Sequence, residues 1–112
     1  MKMVIFEFKV RDGKDQDYFD LAKAMRRQVE QVDGFLGIER FQGLSDPRRF
    51  VSISMWRDEA AITAWREDLD HRAAQASGKA GIFEEFQLRV VDVAKEILFA
   101  DGERREIEHE AA

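Results

Sequence analysis

The chain has 112 residues, the length of one domain, and 45% hydrophobic with 37% charged residues is the balance of a chain that folds around a core. Its formal charge is −5, and its basic residues cluster only as isolated pairs (Arg26-Arg27, Arg48-Arg49, Arg104-Arg105), which argues against nucleic acid or an anionic membrane as partner. There is no cysteine, so disulfides, thiol catalysis and thiolate metal sites are excluded, and the composition fits a cytoplasmic protein.

The first segment, "MKMVIFEFKV", alternates with period two, Val4, Phe6, Phe8 and Val10 on one face and Met3, Ile5, Glu7 and Lys9 on the other. That is a strand and not a signal peptide, and no later stretch approaches a transmembrane length. "RDGK" is a turn at Gly13. From Asp15 the period becomes helical, with Tyr18, Leu21, Ala22, Met25, Val29 and Val32 on one side. Asp15 or Asp17 is the expected cap and Gly34 the expected helix end. "FLGIERFQG" reads as a second strand and "LSDPRR", with the chain's one proline, as a turn. "FVSISMW" alternates again, and the short connection predicts an antiparallel hairpin. Asp58 caps a second helix carrying Ala61, Ile62 and Trp65. "EDLD" is a poor helix interior, so the sequence predicts a break there and a restart at Asp68 or Asp70. Gly78 and Gly81 end this helical segment, and "IFEEFQLRVVDVA" is a fourth strand. The tail "KEILFADGERREIEHEAA" has an apolar start and a charged end, and that end reads as frayed or disordered.

The order β-α-β-β-α-β is the ferredoxin-like arrangement of an α+β fold with an antiparallel sheet, expected over residues 1–94, with a C-terminal extension over 95–112. Helices on one sheet face leave the other bare, with Met3, Ile5 and part of the Val51-Ile53-Met55 row on it. A homodimer, sheet against sheet, is the simplest cover.

The run "FVSISMWRDEAAITAWREDLDHRAAQASGKAGIFEEF", with "DGFLGIERFQG" before it, resembles the antibiotic biosynthesis monooxygenase (ABM) family. The resemblance implies a dimeric α+β barrel with a pocket between helices and sheet in each protomer. It implies either cofactor-free oxidation of phenols or hydroquinones by O2, or haem breakdown. Both branches use a tryptophan on the second helix, which Trp65 matches, and commonly an asparagine, which this chain lacks altogether. Gln75 stands where the haem branch carries its iron-ligating histidine, so no haem breakdown is expected.

The candidate site follows from these residues. Trp65 would hold the substrate, and Phe6, Phe8, Met25 and Phe86 would line the helix–sheet interface as substrate-binding residues, the Phe residues excluding water. His71, among acidic neighbours, would act as a catalytic base or cation, because cofactor-free oxygenation needs its substrate as an anion. Six residues of straight helix turn about 600°, so His71 reaches the Trp65 side only if the helix bends near Glu67–Asp70. Arg40 and Arg89 read as cross-strand ion-pair partners, with a cation for an acidic or quinone-like substrate as the alternative. No metal or other cofactor is expected: the chain has two histidines, His71 and His109, and "DGKDQD" lacks the rest of a calcium loop. The leading function is a cofactor-independent monooxygenase of an aromatic or quinol-like small molecule. The alternative is a non-catalytic dimeric small-molecule-binding module, with haem binding through His71 as a third reading.

Overall fold

The computed structural model describes residues 1–78 and 81–110. In chain order the elements are β1 (Lys2–Val10), α1 (Asp15–Val29), β2 (Phe35–Gln42), β3 (Arg49–Trp56), α2 (Glu59–Gly78), β4 (Phe83–Asp92), β5 (Lys95–Ala100) and β6 (Glu103–Glu108). The first four strands form one antiparallel sheet in the order β2-β3-β1-β4, the ferredoxin-like α+β topology.

Register sorts the side chains onto two faces. Val4 pairs with Ser54 and Val90, Phe6 with Ser52 and Leu88, and Phe8 with Phe50 and Phe86. These rows meet the helices, and Val4, Phe6, Phe8 and Val10 are all buried. Each such side chain taken from water contributes about 1.5–3 kcal/mol, so β1, central in the sheet, is the strand that organises the core. The opposite face carries Met3, Ile5, Val51, Ile53, Met55 and Val91, half-buried with no helix over them.

Several local expectations are corrected. Neither Asp15 nor Asp17 caps α1: Lys14 holds the cap position without a side-chain bond, and the two acids lie in the first turn, where they suit the helix dipole. The helix also stops at Glu30, short of Gly34. Gly34 serves instead in the turn to β2, with φ of 91°, and a Cβ there would lie 2.5 Å from the Ala61 Cβ.

The break expected at "EDLD" is absent, and α2 runs unbroken from Glu59 to Gly78. Asp58 caps it, accepting the Ala61 N–H at 2.9 Å. Leu69 is buried in the core cluster that also holds Phe83, and Arg72 pairs with Asp68 at 3.0 Å one turn back. Burial of one leucine and an i,i+4 pair outweigh the modest helix propensity of two aspartates.

The start of the tail forms regular structure. β5 and β6 form a hairpin around Asp101 and Gly102, with φ of 51° and 80°, the two positive values that a tight two-residue hairpin turn requires. The Asp-Gly pair was the sequence signal for it. His109 lies within this ordered segment, its ring 2.7 Å from Glu96. Residues 111–112 lie outside the described region, as do 79–80.

Candidate functional site

Between α1, α2 and the sheet lies a cavity of about 60 Å³, set in a void of about 620 Å³ that includes its open mouth. Its walls follow from the alternation of β1 and the stripes of the helices. Val4, Phe6 and Phe8 form the floor, Leu21, Met25 and Val29 come from α1, and Trp65 and Leu69 come from α2. Phe8 is itself held by aromatic neighbours, its ring centroid 4.9 Å from Tyr18 and 5.7 Å from Phe50. These contacts fix the wall in one packing.

One end of this apolar space is polar. Arg40 on β2 and Ser52 on β3 are register partners, both on the helix-facing side, and both line the cavity with Ser54. Tyr18 descends from α1 onto them. Its hydroxyl accepts a hydrogen bond from Arg40 Nη1 at 3.3 Å, and the guanidinium carbon lies 5.8 Å from the ring centre. Burial raises the Tyr18 phenol above its usual 10.0, with the Arg40 bond pulling the other way, so the group is a neutral donor at physiological pH. Arg26 also reaches the wall, but it is paired with Glu30 at 3.0 Å.

The predicted site residues divide. Phe6, Phe8, Met25 and Trp65 meet at this one cavity. Phe86 does not line it and packs behind, its ring centroid 5.9 Å from Phe6. His71 is outside: on the unbroken α2 it points away from the buried Trp65–Leu69–Ala73 stripe, is exposed, and borders an open surface depression of about 680 Å³ with Asp68, Arg72 and Gln75. The bend that would have joined His71 to Trp65 does not form, because Leu69 keeps that turn pressed on the core. Arg89 faces the other side of the sheet and pairs with Glu7 at 3.0 Å. Trp56 is fully buried, donates to Ser54 Oγ at 2.9 Å and anchors the end of β3. No group of three or more potential metal ligands occurs among the described residues.

Tyr18, Ser52 and Ser54 are cavity residues that the sequence reading took as core or strand pattern. A signal existed: the chain has one tyrosine, on an apolar helical stripe, and a buried phenol hydroxyl needs a partner. Arg40 shares the strand face of Ile38, and an arginine on a core-facing row was the second signal.

The family model described as antibiotic biosynthesis monooxygenase matches residues 1–77. The chain belongs to the ABM family. A curated ABM relative, named jasmonate monooxygenase, from Pyricularia oryzae, is 34% identical over 97 residues, which cover 87% of this chain and 45% of the relative. The chain thus spans less than half the length of that curated relative. Among solved structures, SnoaB from Streptomyces nogalater, described as a cofactor-independent oxygenase, superposes with a TM-score of 0.63 at 13% identity, covering 82% of this chain and 91% of that one. A conserved protein of Methanosarcina mazei superposes with a TM-score of 0.67 at 18% identity, covering 80% and 89%. At these identities the superpositions show the ABM fold.

Proposed function

We propose that the chain is a cofactor-independent monooxygenase that oxidises an aromatic or quinol-like small molecule in its helix–sheet cavity. The supporting observation is a largely apolar, aromatic pocket with Trp65 on one wall and a polar pole of Tyr18 and Arg40 on another. In such chemistry the substrate anion passes an electron to O2. One oxygen atom ends on the substrate carbon, the other leaves as water, and the substrate supplies all four electrons. The protein binds the substrate, excludes water around the charged intermediate and stabilises the anion. Trp65 and the Phe6–Phe8 floor would hold the ring.

The reading includes a cytoplasmic homodimer, supported by the cysteine-free composition and by the bare sheet face with Ile5 and Ile53 at its centre. A second reading, a non-catalytic binding module on the same fold, draws on one observation: the titratable groups lining the cavity are Tyr18, Arg26 and Arg40, none of them an ordinary base at neutral pH. An oxygen electrode separates the two. With anthrone, hydroquinones and jasmonate as probes, oxygen uptake matched by product formation is expected for the enzyme. Binding without uptake would identify the binding module.

A further inference from the structure

Among the described residues the Tyr18 hydroxyl has no acceptor to donate to. It is 4% exposed, and its oxygen already accepts from Arg40 Nη1 at 3.3 Å. A buried hydroxyl proton left unpaired costs free energy, and one that borders a cavity is satisfied when a ligand brings an acceptor. Arg40 makes the same demand in charge. Several arginines elsewhere are paired with carboxylates: Arg26 with Glu30, Arg48 with Glu84, Arg57 with Asp33 and Asp58, and Arg89 with Glu7. Among the described residues no carboxylate pairs with Arg40, although the chain carries an excess of acids. Its one side-chain hydrogen-bond partner there is a neutral phenol.

We infer that Tyr18 and Arg40 form an oxyanion-binding pole, and that the ligand of this cavity is an apolar ring compound presenting a carboxylate or phenolate oxygen to that pole. The register makes the pole rigid on one side. Arg40 sits opposite Ser52, and Ser54 two residues on adds a second hydroxyl to the same wall. Tyr18 is clamped between Phe8 and Phe50, with ring centroids 4.9 and 5.1 Å away, so its hydroxyl has one place to point. Donors fixed before the ligand arrives need no reorganisation when it binds, which is the condition under which hydrogen bonds to an anion are strongest. This inference rests on the proposal that the cavity takes a small molecule. It goes further by stating that molecule's charge and by giving the anion-stabilising task to Tyr18 and Arg40 in place of a base.

Binding can be tested without turnover. Equilibrium dialysis with 3-phenylpropionate and its primary amide compares an anion with a neutral molecule of the same shape. Titration of 4-nitrophenol at a pH just below its own pKa reads the phenolate directly by its yellow band. We expect the acid to bind about tenfold more tightly than the amide, or the protein to increase the phenolate band; the first result identifies a carboxylate, the second the reacting oxygen. Arg40→Gln, at an exposed position where folding is not at stake, should remove the preference, and Tyr18→Phe should weaken it. Arg27→Gln, the same charge change away from the cavity, should leave it intact. No binding of the acid at millimolar concentration together with no phenolate gain would overturn the inference. So would an anion preference that survives Arg40→Gln or is lost equally in Arg27→Gln. Oxygen uptake is a separate readout: a cavity that prefers anions but consumes no oxygen refutes the oxygenase and leaves the pole standing.

Discussion

Tyr18 on α1 and Arg40 on β2 stand 22 residues apart in sequence, and a 3.3 Å hydrogen bond joins their side chains at the wall of a largely apolar cavity. Removing only the hydroxyl isolates its role. Tyr18→Phe keeps the ring packed on Phe8 and Phe50, so its stability should fall by only about 1 kcal/mol in a denaturant melt. With an oxidisable phenol as substrate, kcat/KM should fall about tenfold or more. A variant with unchanged kinetics would take Tyr18 out of the site.

Trp65 and His71 lie on different faces of one unbroken helix, the first buried and the second exposed. His71→Ala should therefore leave oxygen uptake unchanged and shift stability by no more than about 0.5 kcal/mol. Trp65→Ala opens a large hole in the core and should cost about 3–5 kcal/mol, so Trp65→Phe is the more informative change. It should fold and lose substrate affinity in a fluorescence or dialysis assay. Loss of activity in His71→Ala with normal folding would show that the helix opens in solution.

Ile5 and Ile53 are register partners on the uncovered sheet face. Ile5→Lys places a charge at the centre of the proposed interface, so the protein should elute as a dimer and the variant as a monomer in size-exclusion chromatography with light scattering. A wild-type monomer at micromolar concentration would remove the sheet-to-sheet assembly.

The Asp58 carboxylate is held below its usual 3.8, first by the Arg57 side chain and then by the Ala61 N–H. A depressed folded-state value means that its contribution is present above the ordinary carboxylate range and is lost as pH falls through the lowered value. Asp58→Asn should therefore melt below the wild type at neutral pH, with the gap closing as the pH falls well below that range in a thermal-melt series. Tyr18 gives the opposite limb. Its raised value leaves stability intact below about 10 and erodes it as pH rises further, an erosion absent in Tyr18→Phe.

Gln75 and His71 share an open depression of about 680 Å³ beside Asp68. Haem offered there meets no enclosing pocket, so addition of one equivalent should give at most a weak Soret shift, with no reductant-driven loss of the band.

Fold class and the apolar walls were legible in sequence because both depend on periodicity. Alternation in "KMVIFEFKV" placed Phe6 and Phe8 on the core face, and the helical stripe placed Met25 and Trp65 opposite them. Local chemistry misled where long-range packing was stronger. "EDLD" looks like a helix break until Leu69 is seen buried in the core cluster with Phe83, and that one side chain decides that His71 faces solvent. The polar pole was beyond local reading altogether. Arg40 meets Ser52 through strand register and Tyr18 through the way α1 lies on the sheet. Which phenol meets which guanidinium is set by distances between segments, and sequence pattern carries only the directions in which each segment points.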